Sequence, residues 1–224
     1  MKKWFSCAVF CLVIPAVVLG GACLFADKQY AWISLCVVIL SCVPFFWHFE
    51  KKVADVRQLI LLAVMVALSV LGRMAFAPIP GFKPVTAMTV IAAMYFGGEA
   101  GFMTGALSAV LSNFYFGQGP WTPFQMFSWG IIGFIAGLLA EPLKRSKVLL
   151  AAYGVFSGVL FSLLMDVWTV LWADGVFRLA RYLAAVASAL QFTVVYAVSN
   201  VIFLLVFSWP IGKILQRMKT KYGL

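Results

Sequence analysis

Long apolar runs separated by short polar connectors dominate the pattern of this chain. Most runs approach or exceed the roughly 20 residues that an α-helix needs to cross a bilayer. They are continuous rather than alternating between apolar and polar residues, which favours helices over the strands of a membrane barrel. The pattern predicts eight helices, over residues 4–26, 30–49, 58–77, 84–96, 101–116, 124–143, 148–172 and 183–215.

The composition indicates whether these helices lie in water or in a lipid bilayer. Of the 224 residues, 64% are hydrophobic and 11% are charged. A soluble domain of this size exposes too much surface to hide that many apolar side chains. We therefore predict an all-α, polytopic helical membrane protein. Two of its segments, 84–96 and 101–116, are short and flanked by glycine, which is typical of helices that frame a cavity.

The chain divides into three parts. Residues 1–49 are expected to form an N-terminal transmembrane hairpin, and its first segment reads as a retained helix because no convincing cleavage pattern follows it. Residues 50–57 form a charged connector, and residues 58–224 carry the other six helices.

The basic residues predict the orientation, since Lys and Arg concentrate in cytoplasmic loops. An N-terminus inside the cell puts twelve on the cytoplasmic side and four on the outer side, with both termini cytoplasmic. We therefore attribute the formal charge of +10 to the membrane topology of the chain, and we expect no nucleic-acid partner. The inner set is Lys2, Lys3, Lys51, Lys52, Arg57, Lys144, Arg145, Lys147, Lys213, Arg217, Lys219 and Lys221; the outer set is Lys28, Lys83, Arg178 and Arg181.

Polar and aromatic residues converge on the predicted outer face, beside loops rich in Gly and Pro. An Arg at membrane depth is costly unless it is paired, hydrated or able to snorkel, and intramembrane carboxylates are functional by default. Arg73 could be a snorkelling residue, and Trp121 could belong to the interfacial aromatic belt. Three carboxamides near one loop favour a ligand site instead. The candidate substrate-binding residues are Arg73, Lys83, Asn113, Gln118, Trp121, Gln125, Trp129 and Asp166.

Small residues spaced along two helices indicate close helix packing. Ala63 and Ala67 stand four apart on the third predicted helix, and Gly130, Gly133 and Gly137 form a second smooth stripe. Such patterns let helices approach closely in lipid. The sequence leaves open whether each stripe meets a partner protein or another helix of the same chain.

The sequence offers little chemistry for catalysis. The five cysteines all lie in the first 42 residues without metal-ligand spacing, and no nucleotide-binding or hydrolase motif is present. We expect no metal, no cofactor and no catalytic residue. An intramembrane transferase or phosphatase using Arg73, Lys83 and Asp166 is one alternative, and a membrane scaffold without a ligand is another.

From Arg57 onward the chain resembles the S component, the substrate-binding membrane subunit, of energy-coupling factor (ECF) vitamin transporters. The resemblance rests on residues 72–73, 80–86 and 112–114, and above all on the run Gly-Pro-Trp-Thr-Pro-Phe-Gln-Met at 119–126. It implies a six-helix core in the cell membrane of a prokaryote. It also implies capture of a solute at the outer face, and assembly with a T subunit and two ATPase subunits. Ala63 and Ala67 match the alanine motif that contacts the T subunit, whereas residues 1–49 have no counterpart in the usual six-helix family.

The substrate implied by the resemblance is a vitamin or related micronutrient. The chain looks closest to cobalamin-type S components, and its amide-rich, aromatic and modestly cationic residues suit a corrinoid. A queuosine precursor is the alternative, because amides and Trp also suit a flat heterocycle.

Overall fold

A computed structural model describes residues 2–25 and 56–223, together with residues 32, 33, 35–37, 39, 40 and 43. The second predicted helix (30–49) and the charged connector (50–57) lie largely outside these described residues. The described part is helical and contains no strand, as the apolar pattern predicts. The helices are α1 (Lys2–Ala8), a π-helical turn (Val9–Val13), α2 (Ile14–Phe25), α3 (Val56–Ala75), α4 (Val85–Phe96), α5 (Gly98–Phe116), α6 (Trp121–Leu138), α7 (Ala140–Arg145), α8 (Lys147–Asp174) and α9 (Leu179–Tyr222).

Three boundaries differ from those predicted. The helix expected over 101–116 begins three residues earlier, so α5 has 19 residues and is not short. The segment expected over 124–143 is two helices, because α6 begins at Trp121, directly after Pro120, and ends at Leu138 before the short α7. The last helix is longer than expected, with 44 residues and a length of roughly 65 Å.

The short helix α4 is the centre of the bundle. Every residue from Val85 to Met94 is buried, and α3, α5, α6 and α9 all pack against it. A helix that is apolar on all sides is stable only when other helices surround it. Its 12 residues therefore need not face lipid, which explains how so short a segment is tolerated here.

Glycines allow α5 and α6 to cross at very short distance. A Cβ atom on Gly101 would lie 2.6 Å from the carbonyl oxygen of Gly133, and one on Gly133 would overlap the backbone of Gly101. A Cβ on Gly137 would likewise overlap Gly98. The glycine stripe on α6 thus packs against α5 of the same chain. For this stripe, the partner is another helix of the chain and not another protein.

We expect Gly133→Ala to lower the free energy of unfolding by roughly 2 kcal/mol or more, because overpacking a tight backbone contact forces the helices apart. Thermal unfolding in detergent measures this. Gly20→Ala is the matched control, since a Cβ there has no described residue within 4 Å, and it should leave the melting temperature unchanged or slightly higher. Equal melting temperatures for the two variants would contradict the close crossing.

The N-terminal helical segment packs on the outside of the six longer helices α3–α6, α8 and α9. Phe10 is fully buried, stacked on Phe102 of α5 at 4.2 Å between ring centroids and edge-on to Phe134 of α6. Ser6 also donates a hydrogen bond to the carboxylate of Glu99 at 2.8 Å. The segment therefore covers α5 and α6 and contributes an apolar contact.

The lengths of the apolar helices agree with a protein that crosses the membrane several times. Four described segments are long and apolar enough to cross a membrane, namely Trp4–Gly21, Val56–Ala75, Lys147–Asp174 and Leu179–Tyr222. Because successive helices run in opposite directions, one end of the bundle collects the start of α3, the α6–α8 connection and the end of α9. The other end, predicted to face outward, collects the end of α3, the 76–84 loop and the 117–120 loop.

Candidate functional site

Arg73 lies buried in the last turn of α3, at the predicted outer end of the bundle. Its guanidinium donates to the hydroxyl of Ser112 and to the side-chain oxygen of Asn113, the latter at 2.9 Å. It also lies 4.6 Å from the ring centroid of Phe116 and 5.3 Å from that of Trp129. Neutral oxygens and ring faces thus hold this cation in place of a carboxylate.

Asn113 links Arg73 to the 117–120 loop and the start of α6. Its amide nitrogen donates to Thr122 and to Gln125, each at 2.9 Å. Thr122 in turn donates to the side-chain oxygen of Gln118 at 3.1 Å, and Gln118 donates back to the Val110 carbonyl at 2.8 Å. These bonds fix the loop over the outer end of α5.

Because Asn113 is fully buried and serves three partners, we expect Asn113→Ala to cost about 2 kcal/mol or more of unfolding free energy. Substrate affinity should fall as well, since Arg73 and Gln125 lose the group that orients them. Thermal unfolding and a binding titration measure the two effects. The control is Gln191→Ala, an exposed amide on α9, which should change neither; an Asn113→Ala protein as stable as this control would contradict the network.

Lys83 places a second cation beside the same indole. Its residue is half-buried, but its ammonium nitrogen lies 5.3 Å from the ring of Trp129, 5.7 Å from Phe161 and 5.2 Å from Tyr196. Trp129 and Phe161 stack on each other at 4.8 Å. Burial, and then the nearby charge of Arg73, lower the pKa of Lys83 to about 7.

The backbone of the 76–84 loop is held so that Lys83 points into this aromatic cage. The Lys83 backbone N–H donates to the Ser199 hydroxyl at 2.9 Å, and that hydroxyl donates to the Lys83 carbonyl at 3.3 Å. Gly81 has a φ of 79°, and a Cβ there would crowd Tyr196 at 3.2 Å. Only glycine passes this close to the tyrosine without strain.

The space enclosed beside Lys83 is small. A cavity of about 10 Å³, room for roughly one water molecule, is lined by Gly81, Lys83, Thr86, Trp129, Phe161, Tyr196 and Asn200. Among the described residues, the ion pairs involve neither Arg73 nor Lys83. The cavity beside Lys83 therefore has no room for a larger molecule, and within the described residues no carboxylate is paired to Arg73 or Lys83.

Further polar groups approach from α8. Asp166 is buried, and neither its Oδ2 nor the Nε1 of Trp168 has a hydrogen-bond partner within the described part of the chain. Trp168 meets Trp121 edge-on at 6.0 Å, and the Trp121 ring covers Gly119. Trp121 thus packs on Trp168 and Gly119, and no hydrogen bond in the described part of the chain links it to Arg73, Asn113 or Lys83.

Comparison with known families decides the identity of the chain. Residues 53–217, about three quarters of the chain, match the model of the family described as ECF-type riboflavin transporter, S component. The chain belongs to this family. No curated protein and no solved structure matches it.

S components are substrate-binding subunits of ECF transporters, not enzymes. They are multi-pass proteins of the cell membrane that bind a small-molecule vitamin and partner with the T and ATPase modules. The resemblance drawn from the sequence is therefore confirmed at the level of the family, and the transferase, phosphatase and scaffold alternatives are set aside.

The S component brings most of the predicted site residues together. Six of the eight, all but Trp121 and Asp166, form one connected cluster through the contacts of Arg73, Asn113 and Lys83. Sequence reasoning missed Ser112, Phe116, Thr122, Phe161 and Tyr196 as contributors. Ser112 and Thr122 lie within the motifs 112–114 and 119–126 and could have been found, whereas Phe161 and Tyr196 stand in apolar helices and carry no such signal.

The two alanines predicted to contact the T subunit lie on an open helix face. Ala63 and Ala67 are exposed on α3, and so are Ile60, Val64 and Leu71. Because the N-terminal segment packs on α5 and α6, this face of α3 stays accessible within the described structure.

Proposed function

We propose that this S component captures a vitamin-sized solute carrying a negatively charged group and delivers it to the ATP-driven importer. One observation carries the proposal: Arg73 and Lys83 both lie 5.3 Å from the Trp129 ring, and no carboxylate in the described part of the chain pairs with either. The positive charge of Arg73 disfavours protonation of Lys83 nearby, and an anionic ligand between the two would favour the protonated ammonium.

A corrinoid of the cobalamin type is the first candidate substrate. Cobalamin carries one phosphodiester, which suits the cation pair, and several amide side chains. Asn113, Gln118 and Gln125 would exchange their mutual hydrogen bonds for bonds to these amides. Since the closed cavity holds roughly one water, the 76–84 and 117–120 loops would have to separate to admit it.

Riboflavin is the second candidate, because the matched family is described by that vitamin and the cage of Trp129, Phe161 and Tyr196 suits a flat ring system. A queuosine precursor fits less well if it bears an ammonium group, since the two cations would repel it. The charge of the bound ligand therefore distinguishes the three candidate substrates.

Binding titrations of the purified chain test the proposal with pairs of ligands that differ in an anionic group. Riboflavin is compared with its 5′-phosphate, which adds the phosphate alone, and cobalamin with cobinamide, which lacks the phosphodiester together with its ribose and base. We expect cobalamin to bind at least about tenfold more tightly than cobinamide, as a charge-assisted hydrogen bond would give. Equal affinities within both pairs would contradict an anion-binding site, and tight binding of riboflavin alone would favour the second candidate.

The titration of Lys83 gives a further expected result. An anion prefers the protonated ammonium, so binding must add a proton once the pH exceeds the Lys83 pKa of about 7. Cobalamin affinity should therefore fall about tenfold between pH 6 and pH 8. Titrations across this range measure it, with Lys83→Met as a control whose pH profile should be flat. An unchanged affinity in the parent protein would mean that Lys83 does not meet the anion.

A further inference from the structure

A second cavity opens at the opposite end of the bundle, the end that the charge pattern predicts to be cytoplasmic. Its volume is about 640 Å³, within the range of roughly 300–1,000 Å³ that ligand sites occupy. It lies between the inner ends of α4, α8 and α9 and the short α7. The residues that line it are different from those of the site described above.

The cavity is strongly basic. Lys144, Lys147, Lys213 and Arg217 line it, and the described residues that line it include no Asp or Glu. The single ion pair among the described residues that involves these four joins Lys144 to Glu141 at 3.2 Å, and that carboxylate is mostly exposed. Four cations from three helices thus surround a space with little to neutralise them.

The cavity walls join this charge to apolar surface. Trp209, which is 69% exposed, lies in the wall, with the Lys213 ammonium 5.3 Å from its ring. Val206 and Ile214 extend the exposed apolar surface of α9 along the same helix. A Trp beside lysines, at the boundary of an apolar helix face, is the arrangement found where a membrane protein meets lipid headgroups.

Tyr95 makes the floor of the cavity rigid. Its ring packs so closely on α9 that a Cβ on Gly212 would overlap its hydroxyl, and Lys144 lies 5.1 Å from the same ring. Lys219 donates to the Tyr95 carbonyl at 2.9 Å. The four cations therefore lie around a cavity whose walls are formed by packed helices.

We propose that this basic cavity binds the phosphate headgroup of an anionic phospholipid from the cytoplasmic leaflet. The acyl chains would lie along the exposed apolar face of α9, which adjoins the cavity. The cytoplasmic leaflet carries anionic lipids that attract basic residues at the membrane surface, and basic pockets between helices on this side suit anionic headgroups.

Native mass spectrometry of the full chain in a neutral detergent tests the proposal, with added phosphatidylglycerol, phosphatidylcholine or glycerol 3-phosphate. We expect one phosphatidylglycerol to bind clearly more tightly than phosphatidylcholine, and glycerol 3-phosphate to bind weakly because it lacks acyl chains. Lys213→Gln with Arg217→Gln should weaken phosphatidylglycerol binding by about tenfold or more, and Lys147→Gln alone by about fivefold.

The matched control is Arg145→Gln with Lys221→Gln, which removes the same charge from exposed residues outside the cavity. It should bind phosphatidylglycerol as the parent does. Three results would overturn the proposal: equal loss in the control, equal affinity for glycerol 3-phosphate, or unchanged lipid affinity in the cavity variants with loss of assembly with the T subunit. The last would identify the cavity as a protein-docking surface.

Discussion

Replacing Lys83 with methionine is expected to weaken binding of an anionic substrate by roughly 10- to 100-fold, the range for loss of a charge-assisted hydrogen bond. The methylene chain and most of the volume remain, so Trp129, Phe161 and Tyr196 keep an apolar neighbour. The melting temperature should stay the same or rise, because the substitution removes from a ring cage an ammonium group that has no ion-pair partner among the described residues.

Lower substrate affinity without lower stability would show that Lys83 binds the substrate and does not merely stabilise the fold. A residue needed only for structure would lose stability when replaced, whereas a residue reserved for a ligand loses affinity alone. Calorimetric titration and thermal unfolding measure the two quantities on one preparation. Lys221→Met, an exposed lysine near the end of α9, is the control and should change neither. A Lys83→Met protein that binds as tightly as the parent would remove Lys83 from the site.

Replacing Ala67 with leucine is expected to reduce solute uptake by cells to near background while substrate binding by the purified chain stays unchanged. Ala67 is exposed on α3, about 9 Å along the helix from Arg73 and on a different face from that buried residue, so the larger side chain points away from the site. In lipid, close approach of small residues drives helix association. A leucine would hold the T subunit away from this face.

Ala187→Leu is the matched control, because Ala187 is exposed on another helix, α9, and the substitution adds the same volume. It should leave uptake and assembly with the T subunit intact. Co-purification of the T subunit with each variant shows whether assembly is the step that fails. Normal uptake by the Ala67→Leu protein would mean that the T subunit docks elsewhere.

The sequence was sufficient to predict the helical membrane fold, because helix length and hydrophobicity are local properties of the chain. It misjudged α5, α6 and α9 at their ends, where Gly97, Pro120 and the long basic extension set the boundaries. The burial of α4 on every side was also not predictable, since it depends on four other helices packing around it.

For the site, polar residues at loops were informative and apolar residues within helices were not. Arg73, Asn113 and Gln125 are conspicuous because amides and cations are expensive at membrane depth. Phe161 and Tyr196 are missed because an aromatic residue in an apolar helix is ordinary, and only the fold brings it to Lys83. The pairing of both cations with Trp129 is likewise a tertiary result.

The most direct test of the account is to purify the chain from its natural membrane in mild detergent, denature it, and identify any released molecule. Mass spectrometry names the molecule, and visible absorbance measures its stoichiometry. We expect an anion-bearing vitamin, with a corrinoid first, at close to one molecule per chain in the parent and far less in the Lys83→Met variant. A cationic or uncharged molecule retained equally by both proteins would contradict it.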